Sequence, residues 1–152
     1  MQFEEIYHQF QHKIFRLCLG YTNDEDWAKD LVQETFIQVH LHLHRFRNES
    51  SVGTWVYRIA VNICLRQLDK DERQKKATEG LEYAPEADRP DSEMIDKLYD
   101  AIAQLKQTDR LIITMVLEEV KNPEIAEILG ISEGNIRVKI HRIKKSLSKL
   151  MA

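Results

Sequence analysis

The chain is poor in residues that interrupt helices. Its 152 residues include five glycines and three prolines, and no stretch alternates apolar and polar residues as a half-buried strand would. That excludes the turn-rich sandwiches and barrels and predicts an all-α protein. Cysteine is scarce as well. Cys18 and Cys64 both lie in apolar surroundings, which excludes a disulfide scaffold and reads as two small buried hydrophobes in a reducing compartment. No apolar run is long enough to span a bilayer and no secretory signal pattern is present, so a cytoplasmic protein is expected. There is no excess of positive charge: 22 Lys and Arg stand against 25 Asp and Glu, a net of -3, unlike a uniformly basic nucleic-acid binder. Glycine-rich phosphate loops, nucleophile–base arrangements and paired carboxylates are also missing. No enzymatic activity, cofactor or small-molecule substrate is therefore expected.

What is present is concentrated in the last quarter. Asn122 suits an N-cap and Pro123 the first helical position. Ile125, Ala126, Ile128 and Leu129 give the helix that follows one apolar face, and Gly130 suits its left-handed end. Ile131 is expected as a buried plug in the turn. Ser132 caps a second helix with Glu133 in its first turn. Ile136, Ile140, Ile143, Leu147 and Leu150 form its expected buried stripe. On the opposite arc lie Gly134, Arg137, Val138, His141, Arg142 and Lys145, flanked by Asn135 and Lys139. Two helices joined by a tight turn, the second with a basic and amide-bearing outer face, are a device for reading the major groove of DNA.

Charge is partitioned to match. Residues 1–69 carry a net of -2, residues 70–131 a net of -6, and residues 132–152 a net of +5. The positive charge is thus gathered on the proposed reading helix, where phosphates need it. The acidic remainder predicts weak DNA binding by the chain alone and a basic protein partner.

The rest divides into two helical domains. A first helix is expected from Phe3 to Leu19, with Ile6, Phe10, Ile14 and Leu17 on one face. A second is expected from Asn23 or Asp24 to about Phe46, and a third from Val52 through Leu68, after the polar loop Arg47–Ser51. Residues 71–93, with dense charge and little periodic hydrophobicity, read as a flexible linker between an N-terminal domain (1–70) and a C-terminal domain (94–152). The C-terminal domain is expected to hold four helices: one from Met94, one capped at Thr108 or Asp109, and the helix-turn-helix.

On the third helix, Arg58, Asn62 and Arg66 recur every four residues and line one face, with Trp55 and Tyr57 just before them. Rings, guanidinium groups and an amide beside a polar loop are the parts of a single-strand site. Taken alone, Trp55 as core and solvated arginines explain the strip better. His40, His42 and His44 form a cluster in which His40 and His44 share the spacing of a two-ligand metal site. No third ligand is near in sequence, so no metal is expected.

Three segments together resemble the extracytoplasmic-function group of bacterial sigma factors. They are Asp30-Leu-Val-Gln-Glu-Thr-Phe36, then Phe46-Arg-Asn-Glu-Ser-Ser51 with Thr54-Trp-Val-Tyr-Arg-Ile-Ala60 and Asn62, and last Ile125-Ala-Glu-Ile-Leu-Gly-Ile-Ser-Glu-Gly134 with Arg137, His141 and Arg142. The resemblance spans nearly the whole chain. It implies a protein that binds core RNA polymerase, directs it to promoter DNA and helps open the duplex. By that resemblance, the helix around Asp30, Leu31, Gln33 and Glu34 would dock on the polymerase through its acidic and amide groups, while Leu31 and Phe36 are more safely read as core. Arg47, Asn48, Glu49, Ser50 and Ser51 would receive a base flipped from the melted minus-ten strand, read with Trp55, Tyr57, Arg58, Asn62 and Arg66. Ser132, Glu133, Asn135, Arg137, Val138, Lys139, His141, Arg142 and Lys145 would meet the minus-thirty-five duplex. It further implies an anti-sigma factor as partner, membrane-bound in some relatives, and association with the nucleoid when active.

Two other readings remain at this point. One is a stand-alone helix-turn-helix regulator with an N-terminal sensing or dimerisation domain, which would not need the Trp55, Arg58 and Asn62 strip. The other is a metal- or redox-responsive binding protein using the histidines and the two cysteines.

Overall fold

A computed structural model describes residues 2–67 and 93–152. Among them are seven α-helices and no strand: α1 Phe3–Thr22, α2 Glu25–His42, α3 Val52–Arg66, α4 Glu93–Ile102, α5 Gln107–Leu117, α6 Asn122–Leu129 and α7 Glu133–Leu150. The all-α expectation holds. The linker expected over residues 71–93 lies outside the described residues, apart from Glu93, which opens α4.

Local sequence sets most helix ends. The Asp24 carboxylate accepts the Trp27 N–H at 3.1 Å, and the Ser51 hydroxyl accepts the Thr54 N–H at 3.1 Å. The Ser132 hydroxyl accepts the Asn135 N–H at 3.2 Å. Each fills one of the donors left over at a helix start. Gly130 ends α6 at φ 68°, a region open to glycine at little cost.

Several ends differ from expectation. α1 runs three residues past Leu19 because Leu19, Gly20 and Tyr21 are buried against the C-terminal helices. α2 stops at His42 and tightens into a 3-10 turn, Leu43–Arg45. Asn122 is the first helical residue of α6 rather than its cap; Lys121 holds that position, and its carbonyl accepts the Ile125 N–H at 3.0 Å. α5 likewise starts at Gln107, before Thr108 and Asp109, and the Lys106 carbonyl accepts the Arg110 N–H at 2.9 Å. Ile131 is half-buried and Leu150 is exposed, so the buried stripe of α7 ends at Leu147.

The two helical halves pack against each other. One continuous core runs from Ile6, Phe10 and Ile14 through Val56 and Ala60 to Leu111, Met115, Ile125 and Ile136. α1 lies on α5, and α3 on α6. A Cβ added at Gly20 would overlap the Thr114 hydroxyl, so the α1–α5 approach depends on that glycine. Arg16 of α1 grips the Glu118 carboxylate with two N–H groups, the Nη2 arm at 2.9 Å. Arg110 donates to the Tyr21 carbonyl at 2.9 Å, and to the Leu105 carbonyl at 2.9 Å, with a further bond to the Ala103 carbonyl. A guanidinium there meets carbonyls left over at the end of α1 and of α4. Burial pulls its pKa below the usual arginine value.

Candidate nucleic-acid and polymerase interfaces

The outer face of α7 is built as the sequence pattern requires. Ile136, Ile140, Ile143 and Leu147 are buried, which turns Glu133, Gly134, Asn135, Arg137, Val138, His141, Arg142 and Lys145 to solvent. Lys139 is half-buried at the edge of this face. Ser132 is exposed, yet its hydroxyl is engaged as the helix cap. Arg137 is 3.7 Å from Glu133, one turn earlier, so that carboxylate steadies the guanidinium beside the open face.

A second site lies 80 residues earlier in the chain, between the 3-10 turn and α3. Leu43, Phe46, Asn48, Ser50, Ser51 and Val52 line a cavity of about 310 Å³. The Phe46 and Trp55 rings stand 5.0 Å apart at 32° and form an aromatic wall beside it. Asn48 takes a left-handed backbone, φ 58°, which asparagine tolerates better than most residues. Asn48 and Ser50 both line the cavity. Arg47 and Glu49 are exposed but do not line it. Ser51 lines it, while its hydroxyl accepts from the Thr54 N–H and donates to Thr54 Oγ1 at 2.9 Å.

On α3, Asn62 and Arg66 are exposed, and Arg66 Nε donates weakly to the Asn62 carbonyl at 3.4 Å. Arg58 is half-buried and turned toward α6, where it meets Glu127 at 3.3 Å. Trp55 is half-buried against the core. Tyr57 corrects the sequence reading: it is 4% exposed, and its hydroxyl, with no hydrogen-bond partner among the described residues, lies among the charges of Glu118, Arg16 and Glu124. Burial pushes its pKa up. Tyr57 is the neighbour of Arg58 in sequence, and the helical turn of about 100° per residue carries it into the core.

The acidic segment of α2 divides similarly. Asp30 and Gln33 are exposed, and Glu34 accepts a hydrogen bond from Gln67 at 3.3 Å. Leu31 is 2% exposed and belongs to the core, in keeping with its reading as a core residue. Gln33 instead borders a groove of about 870 Å³ between α1 and α2, walled by Tyr7, Phe15, Val32, Phe36 and Ile37. The sequence reading missed this groove. Its available signal was the pair Ile37 and Leu41, one turn apart and off the buried stripe of α2; both are exposed.

The histidine cluster does not assemble. α2 ends at His42, so His40 and His44 are not a helical pair. His40 packs its ring edge-on against Phe3 at 5.0 Å, and His42 bonds Gln38 at 3.2 Å. Among the described residues no three His, Cys, Asp or Glu could hold a metal ion together. Cys18 and Cys64 are free and buried. A hydrogen bond between them, and burial, push the Cys18 thiol well above its ordinary range.

These surfaces coincide with two conserved-family segments. Residues 6–74 match the family model for sigma-70 region 2, and residues 95–147 that for sigma-70 region 4. RNA polymerase sigma factor YlaC of Bacillus subtilis is 30% identical, over 97% of this chain and 91% of its own. The chain belongs to the sigma-70 family, as an ECF RNA polymerase sigma factor. ECF RNA polymerase sigma factor SigM of Bacillus subtilis is 26% identical over 99% of this chain and 95% of its own. In fold, this sigma factor matches sigma factor RpoE from Bartonella quintana, solved with the anti-sigma factor NepR, at a TM-score of 0.83 and 20% identity. That match covers 98% of this chain and 96% of the other. This sigma factor directs RNA polymerase to promoters, and sigma factors are known as non-catalytic initiation factors. A stand-alone helix-turn-helix regulator is not favoured, since region 2 occupies the half where a sensing domain would stand. No described helix is long and apolar enough to cross a membrane.

Proposed function

We propose that this sigma factor reads its promoter with two separate surfaces and holds polymerase with a third. The unit spanning residues 1–70 melts and reads the minus-ten element; the unit spanning residues 94–152 reads the minus-thirty-five duplex. The observation that carries this reading is the cavity beside the Phe46–Trp55 wall, where Asn48 and Ser50 offer hydrogen-bonding groups. A base flipped into such a pocket stacks on aromatic surface and leaves the duplex, which favours the open complex. Asn62 and Arg66 continue the exposed strip along the strand. On α7, Asn135, Arg137, His141, Arg142 and Lys145 supply amide and cationic contacts to base edges and phosphates.

Arg58 joins the strip once Glu127 releases it, and the two readers must part for that. Elements named for minus-ten and minus-thirty-five lie about 25 base pairs apart, roughly 85 Å of duplex at ~3.4 Å per pair. A compact chain of this length has a radius of gyration of only about 15 Å. Packed together, the two units cannot reach both elements. Polymerase, docked on Asp30, Gln33, Glu34 and the groove beside them, would stabilise the parted form. A partner that binds the packed form would oppose it. The RpoE structure holds a sigma factor together with the anti-sigma factor NepR, which supports an anti-sigma partner here too. The protein then carries no catalysis of its own. It resides in the cytoplasm, joins the nucleoid when active, and is held at the membrane where its anti-sigma factor is membrane-bound.

The test is transcription in vitro with core polymerase, comparing Asn48→Ala and Trp55→Ala with the parent chain. Opening of the duplex should fall by more than initial promoter binding does. The variants should lose less on a pre-melted template that lacks the flipped base. Equal loss on that template refutes the pocket assignment.

A further inference from the structure

α7 carries an apolar side chain that the fold does not use. Val138 is 58% exposed, although every other apolar residue of this helix before its final residue is buried. Its position is not incidental. At about 100° per residue, Val138 lies roughly 190° around the helix from the mean direction of Ile136, Ile140, Ile143 and Leu147. It therefore stands on the crest of the exposed face. One turn earlier on the same line is Gly134, and a Cβ placed there would meet nothing within 4 Å. Glycine and an exposed β-branched residue are both unfavourable choices for a helix surface, and among the described residues neither is part of the core. Local choices that oppose the fold without a compensating contact point to function.

The surroundings specify the ligand. Arg137 and His141 lie on one side of this crest, Asn135 and Arg142 on the other, all exposed, in the segment of net charge +5. An anionic duplex is the surface that such a rim fits. The crest of a helix seated in the major groove meets the groove floor, where base edges present donors, acceptors and a single apolar group, the thymine C5-methyl. An isopropyl group pressed on a donor or acceptor would strip it of water and give nothing back.

We propose that Val138 reads a thymine of the upstream element through its C5-methyl, and that Gly134 leaves the space for α7 to seat that deeply. This rests on the assignment of α7 as the upstream-element reader and adds the base class and the contacting atom. Loss of one methyl contact changes affinity by about three- to fivefold.

The experiment uses the full chain assembled with core polymerase and promoter fragments whose upstream element is randomised. Selection should enrich thymine at one position. Replacing that thymine with uracil, which lacks only the methyl, should weaken competitive binding by about three- to fivefold for the parent chain. Val138→Ala should bind the thymine and uracil forms alike, and Gly134→Leu should shrink the difference. Arg137→Ala and Arg142→Ala should weaken both forms equally. If no enriched thymine is told from uracil, while the arginine variants still lose upstream binding, the methyl contact is overturned and the assignment of α7 stands. If selection ignores the upstream sequence and the arginine variants behave as the parent, both are overturned.

Discussion

Arg16 and Glu118, 102 positions apart in sequence, meet as a two-pronged ion pair between α1 and the end of α5. The pair joins the half that carries the cavity beside Phe46 and Trp55 to the half that carries α7. Glu118 is only 13% exposed, whereas Arg16 keeps 42% of its side-chain surface in water. Glu118 in turn holds the Arg16 guanidinium above the usual arginine pKa.

Removing one partner should loosen this seam. With Arg16 well solvated, the interaction is screened, and Glu118→Ala is expected to cost about 1 kcal/mol rather than the several of a buried pair. Urea unfolding measures that cost. A pair of fluorescent labels on exposed positions of α2 and α7 should report a longer mean distance in Glu118→Ala than in the parent. An unchanged distance would show that the apolar contacts alone hold the halves together.

Gly20→Ala should destabilise the chain even though alanine is the better helix former. The added Cβ collides with the Thr114 hydroxyl, an overpacking cost of about 1–3 kcal/mol. Thr114→Ala removes the colliding atom, so the double variant should recover much of the loss. Additive losses in thermal melts would mean that the collision is not the cause.

Salt dependence separates contacts to the backbone of DNA from the rest. If Arg137 and Arg142 each neutralise a phosphate, replacing either by alanine should lower the slope of log affinity against log salt by about one. Holoenzyme titrated with upstream duplex over a range of salt gives the slope. Asn135→Ala should weaken binding and leave the slope unchanged.

Alkaline pH should destabilise the fold through Cys18. Its folded-state pKa is raised, by the hydrogen bond with Cys64 and by burial, so the thiol holds its proton more tightly folded than unfolded. The stabilisation is whole below the unfolded thiol pKa of about 8.5 and is lost as pH climbs above it. Tyr57, raised by burial, acts the same way at higher pH. Melting temperature should therefore fall above about pH 8.5. Cys18→Ala should make that fall shallower over the first units, whatever its effect at neutral pH. The same slope in parent and variant would assign the loss elsewhere.

The amino-acid sequence by itself determined the helices, several of their caps and the exposed face of α7, because these depend on short-range order. Ser132 bonds three residues ahead, Gly130 turns on its own φ, and the period of Ile136, Ile140, Ile143 and Leu147 decides which side of α7 faces out. Two caps were misplaced, with Lys121 and Lys106 holding the positions expected of Asn122 and of Thr108 or Asp109; one site residue was misplaced through burial. Tyr57 looks like surface chemistry because Trp55, Arg58 and Asn62 stand near it in sequence, yet it points into a core shared across the chain. The contacts that only the tertiary structure decided are Arg16 with Glu118, Arg58 with Glu127, Arg110 with the Tyr21 carbonyl, and Gly20 against Thr114. No periodicity links residues 69 to 102 positions apart. A charge or a glycine reads the same whether it faces water or another helix, and which it faces depends on how the two halves pack.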